Sequence, residues 1–237
     1  MSNSPVIIGI QYGGHDTAAA LMIGDRIVAA CEQERYTRDK HSRRFPAEAI
    51  ADCLKLGGVT IGDVDEIAYT NDAIYYIRET YLKSALESPD RIGFLIGDID
   101  RIREFYEIDE TIRSQTGFQG QITHHMHHLC HVASSYYPSG FDEALLVSFD
   151  GMGEIETGLM AIGRSGVIDV VQSGMRFPHS LGLLYSAVTD YLGFKHHCDE
   201  GIVMGLAPYG DPDALTKGGR RTYYSVFEEI VEQTGDY

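Results

Sequence analysis

Short blocks of apolar residues, each closed by glycine, proline or an acid, set the rhythm of this chain. The block at 6–12 is β-rich and ends in Gly13-Gly14, and the blocks at 17–23 and 26–31 flank a Gly24-Asp25 turn, which predicts three successive strands. PAEAIADCLKLGG, opening at Pro46, carries proline near its first turn and glycines past its end and predicts a helix. Residues 66–70 predict the next strand. Two longer polar–apolar segments, roughly 72–86 and 98–114, predict helices, and a short strand is expected at 121–123.

The next stretch, HHMHHLCHVASSYY, places Leu129, Val132, Ala133 and Tyr136 at three- and four-residue spacing before Pro138 and Gly140, again a helix. Helical geometry then puts His127 and His131 on one face. Two imidazoles on one turn are a ready bidentate ligand for zinc or iron; the bland alternative is a histidine-rich surface helix. His124 and His128 have the same spacing nearer the expected helix start. Cys130 lies one residue off the His127/His131 face and reads as packing.

From 143 the pattern restarts. A strand at 143–149 ends in DGMGE and is followed by strands near 158–162 and 167–172, echoing VIIGIQYGGHD followed by TAAALMI and RIVAAC. Strand, glycine-rich acidic hairpin, strand, strand thus occurs twice. A duplicated hairpin of this kind can grip a nucleotide from two lobes through backbone N–H groups, although two unrelated hairpins would read the same way. The expected organisation is α/β, with a first lobe over 1–142 and the start of a second over 143–237. In that second part a helix from Leu181 leads to the loop KHHCDEGIVMGLAPYGDP.

Composition narrows the classes. At 237 residues, 43% hydrophobic and 23% charged, the chain reads as globular protein. Its net charge of −16 disfavours phosphate-backbone attraction, so nucleic acid is not an expected partner. No apolar run reaches membrane-span length, and MSNSPVIIGIQYGG lacks a basic region and cleavage site, so no membrane is expected. Four cysteines without a CxxC pair fit reduced thiols and a cytoplasmic location.

Four segments together carry a family resemblance: GIQYGGHDTAAALMIGDRIVAACEQERYTRDKH, HHLCHVASSYY, VSFDGMGE and EGIVMGLAPYG, in that order over about residues 6 to 210. They resemble the O-carbamoyltransferases that decorate nodulation factors and antibiotics. The resemblance implies an actin/sugar-kinase/Hsp70-like fold of duplicated lobes, with the second lobe incomplete in this chain. It also implies two-stage chemistry. A separate C-terminal domain makes carbamoyl adenylate from carbamoyl phosphate and ATP, and the lobed domain passes the carbamoyl group to a hydroxyl of a small-molecule natural product.

Carried over by that resemblance, His127 and His131 are the HxxxH ligands of a divalent metal, iron or zinc, with Asp150 of DGMGE a candidate third ligand. His15 and Asp16 of GHD are the catalytic candidates. Asp16 either accepts the proton of the attacking hydroxyl or tightens its hairpin by an Asx-type bond. Gly13, Gly14, Gly151 and Gly153 either admit backbone to phosphate or simply answer their turns. Arg38 and Lys40, with Glu34 and Arg35, match an ERxxRxKH segment that orients a phosphate or forms a solvated edge. Ile202 stands where the family pattern usually has lysine. His196, His197 and Cys198 offer a weaker second metal reading, because adjacent residues point apart.

The resemblance further implies a complementing C-terminal domain or partner chain, and self-association is a second way to cover an unfinished lobe. Acceptor specificity is expected in the loops around 72–119. The other readings of the chain are a non-catalytic nucleotide- or partner-binding remnant and a metal-dependent hydrolase built on His127, His131 and Asp150.

Overall fold

The computed structural model describes residues 4–172 and 175–231. They form an α/β protein whose contacts divide into two compact units, Met1–Leu184 and Tyr185–Tyr237. In the first unit, β1 (Val6–Gln11), β2 (Ala18–Ile23), β3 (Arg26–Glu32), β4 (Glu66–Tyr69) and β5 (Gln121–His124) make one sheet in the order β3-β2-β1-β4-β5. β1 runs antiparallel to β2 and parallel to β4, and β4 is parallel to β5. This mixed sheet with its flanking helices is the α/β class that the sequence predicts.

The strands alternate as their sequences dictate. Ile8 and Ile10 of β1, Leu21 of β2 and Ile67 of β4 are fully buried, while their neighbours in sequence face the other way. The helix Ala47–Gly57 buries Ala49, Ile50 and Cys53 in the same core. It ends where Gly57 meets the sheet, since a Cβ there would lie 2.3 Å from Leu21 Cδ2.

Because β1, β4 and β5 are parallel, their C-terminal ends share one edge of the sheet. The segments leaving that edge are 12–17, 70–72 and 125–126, and three bonds tie them together. Tyr69 Oη donates to the Tyr12 carbonyl at 2.8 Å, Thr70 N to the Ile10 carbonyl at 3.3 Å and His125 N to the Tyr69 carbonyl at 2.9 Å. Open α/β sheets place their chemistry at this edge.

The expected helical runs at 72–86 and 98–114 are broken into shorter pieces. The first passes from Ala73–Tyr76 through a π-helical turn, Ile77–Lys83, to Ser84–Glu87, and stops because Ser88 precedes Pro89. Ile92–Gly97, Ile99–Tyr106 and Ile108–Thr116 follow.

The histidine helix, His127–Ser139, holds Pro138 in its last turn and ends on Gly140 at φ +74°. His124 therefore sits at the end of β5 and not on the helix, which corrects the His124/His128 pairing: His124 Nε2 bonds Asp109 Oδ1 at 2.8 Å instead. Val132 and Tyr136 pack the helix on a second, antiparallel sheet of β6 (Glu143–Phe149), β7 (Gly158–Arg164) and β8 (Val167–Gln172). The other face of β6 exposes Leu145, Val147 and Phe149.

In the second unit, Glu200–Leu206 is a helix inside the segment expected to be a loop. Its first residue is fixed by two short bonds, from Ser186 Oγ at 2.5 Å and the His197 N–H at 2.6 Å, both to Glu200 Oε1.

Candidate metal centre

The turn that follows β6 brings Asp150 to the His127/His131 face. His127 Nε2 lies 2.9 Å and His131 Nε2 3.2 Å from Asp150 Oδ2, and the two ring nitrogens are 3.0 Å apart. Tetrahedral zinc, with bonds of ~2.0–2.1 Å, spaces its ligand atoms by about 3.3 Å. Two imidazoles and a carboxylate converging on so small a triangle therefore fit a divalent cation with little adjustment. His131 and Asp150 are half-exposed, which leaves room for exogenous ligands on their side.

Burial works against ionisation of Asp150, but hydrogen bonds to His127, His131 and the Gly151 N–H outweigh it and hold this carboxyl far below the usual carboxylate range. A carboxylate kept anionic is what a cation site needs.

Beneath the triangle lies a residue that sequence reasoning did not single out. Glu154, the last residue of DGMGE, is buried and accepts the His127 N–H at 3.1 and 3.2 Å on its two oxygens and the Asp72 N–H at 2.8 Å. It caps the histidine helix from a distant loop. Its place four residues after Asp150 was visible in the motif; that its carboxylate points inward was not.

His128 plays no part in the triangle. Its Nε2 bonds the Glu156 carbonyl at 3.0 Å and its Nδ1 the Ser148 hydroxyl at 2.8 Å, so Nε2 carries the proton and Ser148 donates to Nδ1. Burial pushes its pKa down, consistent with a neutral core histidine. Cys130 is likewise outside the cluster, with burial pushing its thiol up to about 11.

The glycine loops are tied into the fold. Gly153 passes against the histidine helix so closely that a Cβ would sit 3.0 Å from His127 Cβ and 3.1 Å from His128 Cδ2. Its N–H donates to the Glu156 carbonyl at 2.8 Å, and the Gly151 N–H to Asp150 Oδ1 at 2.6 Å. Gly13, at φ +89°, packs on Tyr69 Oη and Phe105, whereas Gly14 has space around it.

A second cluster lies in the segment after β1. Asp16 receives His15 Nδ1 on Oδ2 at 2.6 Å and His41 Nδ1 on Oδ1 at 2.8 Å. Nearby, Glu34, Arg35, Arg38 and Lys40 line a cavity of about 290 Å³. Among the described residues neither Arg38 nor Lys40 pairs with an acid, and both are exposed. His196, His197 and Cys198 form no such cluster with an acid among the described residues.

Comparison with known proteins bears on the whole chain. The profile of the carbamoyltransferase N-terminus family matches residues 6–228. The nodulation protein NolNO of Sinorhizobium fredii is 33% identical over 233 residues, 93% of this chain and 31% of that protein. An uncharacterised protein of Synechocystis is 37% identical over 218 residues, 87% of this chain and 35% of that protein. The chain thus spans about a third of the length of these curated relatives. Among solved structures, YeaZ from Pseudomonas aeruginosa is similar at a TM-score of 0.40 and 12% identity, covering 73% of this chain and 68% of that one. A ROK hexokinase from Thermus thermophilus is similar at a TM-score of 0.40 and 13% identity, covering 87% and 70%. No described helix is long and apolar enough to cross a membrane. With its family profile matched almost end to end and two relatives above 30% identity over most of its length, this chain belongs to the carbamoyltransferase family, in the region that forms the family's N-terminus.

Proposed function

We propose that this chain is the carbamoyl-transferring part of an ATP- and metal-dependent O-carbamoyltransferase. It takes carbamoyl adenylate, made from carbamoyl phosphate and ATP by a complementing C-terminal domain or chain, and carbamoylates a hydroxyl of a small molecule. The observation that carries this reading is the convergence of His127, His131 and Asp150, at 2.9–3.2 Å, in a chain of this family.

These three residues would hold the cation, which when bound offsets negative charge on phosphate or carbamoyl oxygens during acyl transfer. Glu154 holds the helix N-terminus that carries both imidazoles. Arg38 and Lys40 supply cationic contacts for a phosphate. In the transfer the hydroxyl oxygen bonds the carbamoyl carbon, the mixed-anhydride C–O bond breaks, AMP leaves, and the hydroxyl proton passes to the His15–Asp16 pair. The exposed Leu145, Val147 and Phe149 support a second lobe that is completed by further protein.

The test is reconstitution. The chain is mixed with the activating region of a relative, carbamoyl phosphate, ATP, ferrous or zinc ion and a panel of hydroxylated acceptors, and carbamoylated product is followed by mass spectrometry. Product that disappears with His131→Ala supports the proposal. Product formed equally by wild type and His131→Ala would overturn it, as would turnover of esters by the isolated chain without carbamoyl transfer, which the hydrolase reading requires.

A further inference from the structure

The second cluster has a feature that the metal triangle lacks. His41 Nε2 is buried and has no hydrogen-bond partner, while His41 Nδ1 lies 2.8 Å from Asp16 Oδ1. A buried N–H without an acceptor is rarer and costlier than a buried lone pair without a donor. The proton of His41 therefore sits on Nδ1, and Nδ1 donates to Asp16. This assignment also removes Nδ1 from the lone pairs available to a cation, so the trio is a hydrogen-bonded chain and not a second metal site.

The direction of that chain follows. With Oδ1 of Asp16 occupied by His41, Oδ2 accepts from His15 Nδ1–H at 2.6 Å. Fixing the proton of His15 on Nδ1 leaves Nε2 as a lone pair. The His15 side chain is more than half exposed, and among the described residues Nε2 meets no partner. Burial of Asp16 opposes its charge, but the hydrogen bonds to His15 and His41 lower its pKa on balance, keeping it an acceptor.

Backbone geometry supports a built arrangement. Asp16 and His41 both adopt left-handed backbone, at φ +58°, a conformation uncommon outside glycine and tolerated when the surroundings impose it. Three hydrogen bonds supply those surroundings. The His41 N–H donates to Glu34 Oε2 at 3.0 Å, Thr17 N to the Ser42 carbonyl at 3.2 Å, and Thr17 Oγ1 to the Arg44 carbonyl at 2.8 Å. The segment carrying His41 is thus clamped to the segment carrying His15 and Asp16.

We infer that His41 is a positioning residue: by donating to Asp16 it orients that carboxylate to fix the Nδ1–H tautomer of His15, presenting His15 Nε2 as the acceptor of the proton from the attacking hydroxyl. The last step rests on the transferase reading above; the tautomer control does not.

The test separates the two. Long-range proton–nitrogen correlation spectra of the ¹⁵N-labelled full chain report which nitrogen of each histidine is protonated. Wild type is expected to show Nδ1–H for His15 and His41. His41→Gly accepts the left-handed backbone and removes the donor; it should shift His15 toward the Nε2–H form favoured by free imidazole, with the remaining resonances in place. His41→Asn restores a donor at the same position and should restore the Nδ1–H form. In the reconstituted assay, His41→Gly is expected to lower kcat about 10- to 100-fold at unchanged KM, with partial recovery in His41→Asn. An Nε2 proton on His41 in wild type would overturn the inference, and so would a His15 tautomer indifferent to His41→Gly. Zinc uptake by the trio in a His127→Ala/His131→Ala background would also overturn it. A tautomer shift in a chain that transfers no carbamoyl group would keep the positioning and refute the reaction.

Discussion

Glu154 places His127. Both oxygens of this buried carboxylate lie within 3.2 Å of the His127 backbone nitrogen, and one also holds the Asp72 N–H, so a loop after β6 sets where the histidine helix begins. The strand edge, the helix and the acid that completes the triangle are tied together at this single side chain.

Removing it should therefore damage fold and site together. Glu154→Ala strips two backbone N–H groups of their acceptor and is expected to cost about 2–4 kcal/mol, read from denaturant midpoints. Glu154→Gln keeps one carbonyl acceptor, so it should lose less stability and retain more metal affinity. Equal midpoints for Glu154→Ala and wild type would show that the cap contributes nothing.

Metal content is the second expectation. The purified chain, loaded with ferrous or zinc ion and freed of excess, should hold about one equivalent, since a triangle of this size and donor set suits one cation. His131→Ala and Asp150→Asn should lose it by elemental analysis, whereas His124→Ala should not, because His124 is engaged by Asp109 outside the triangle. Retention of metal in Asp150→Asn would mean that the two imidazoles bind without the acid.

These expectations show what the sequence carried. Strands with strict alternation, such as Ile8 and Ile10 flanked by half-exposed neighbours, were legible, as were a helix bracketed by Pro46 and Gly58 and the i, i+4 pair His127/His131. All of these depend on local spacing. Glu154 and His41 were not legible, because each owes its role to a partner far along the chain: Glu154 to His127 and Asp72, His41 to Asp16. A glutamate at the end of a motif and a histidine at the end of a basic run look the same whether they point inward or outward. The breaks in 72–114 were missed for a related reason, since amphipathic spacing persists across a π-turn while the hydrogen-bond ladder does not.

Gly153 offers a third test. Here the residue type answers close packing, with His127 Cβ 3.0 Å from where a side chain would begin. Gly153→Ala should push the loop off the helix, destabilise the chain by about 1–3 kcal/mol and weaken metal binding with it. Gly14→Ala, placed in open space, should leave the melting temperature nearly unchanged. If Gly14→Ala weakened nucleotide binding in the reconstituted enzyme at constant stability, its phosphate role would stand apart from its turn.

Acid sensitivity of the metal-free chain should trace in part to Asp150. Its folded pKa lies far below the unfolded value near 3.9, because bonds to His127, His131 and the Gly151 N–H outweigh the burial that opposes its charge. A carboxyl depressed on folding contributes stability that is fully present above the unfolded value and is lost as pH falls through the folded one. Denaturant curves from pH 7 to pH 2 should therefore show wild type and Asp150→Asn converging below about pH 4, with wild type the more stable above it. Asp150 is two-fifths exposed, so solvent screening keeps the gap modest. Curves that stay parallel across the whole range would show that the acid is held for the cation alone and contributes nothing to the fold without it.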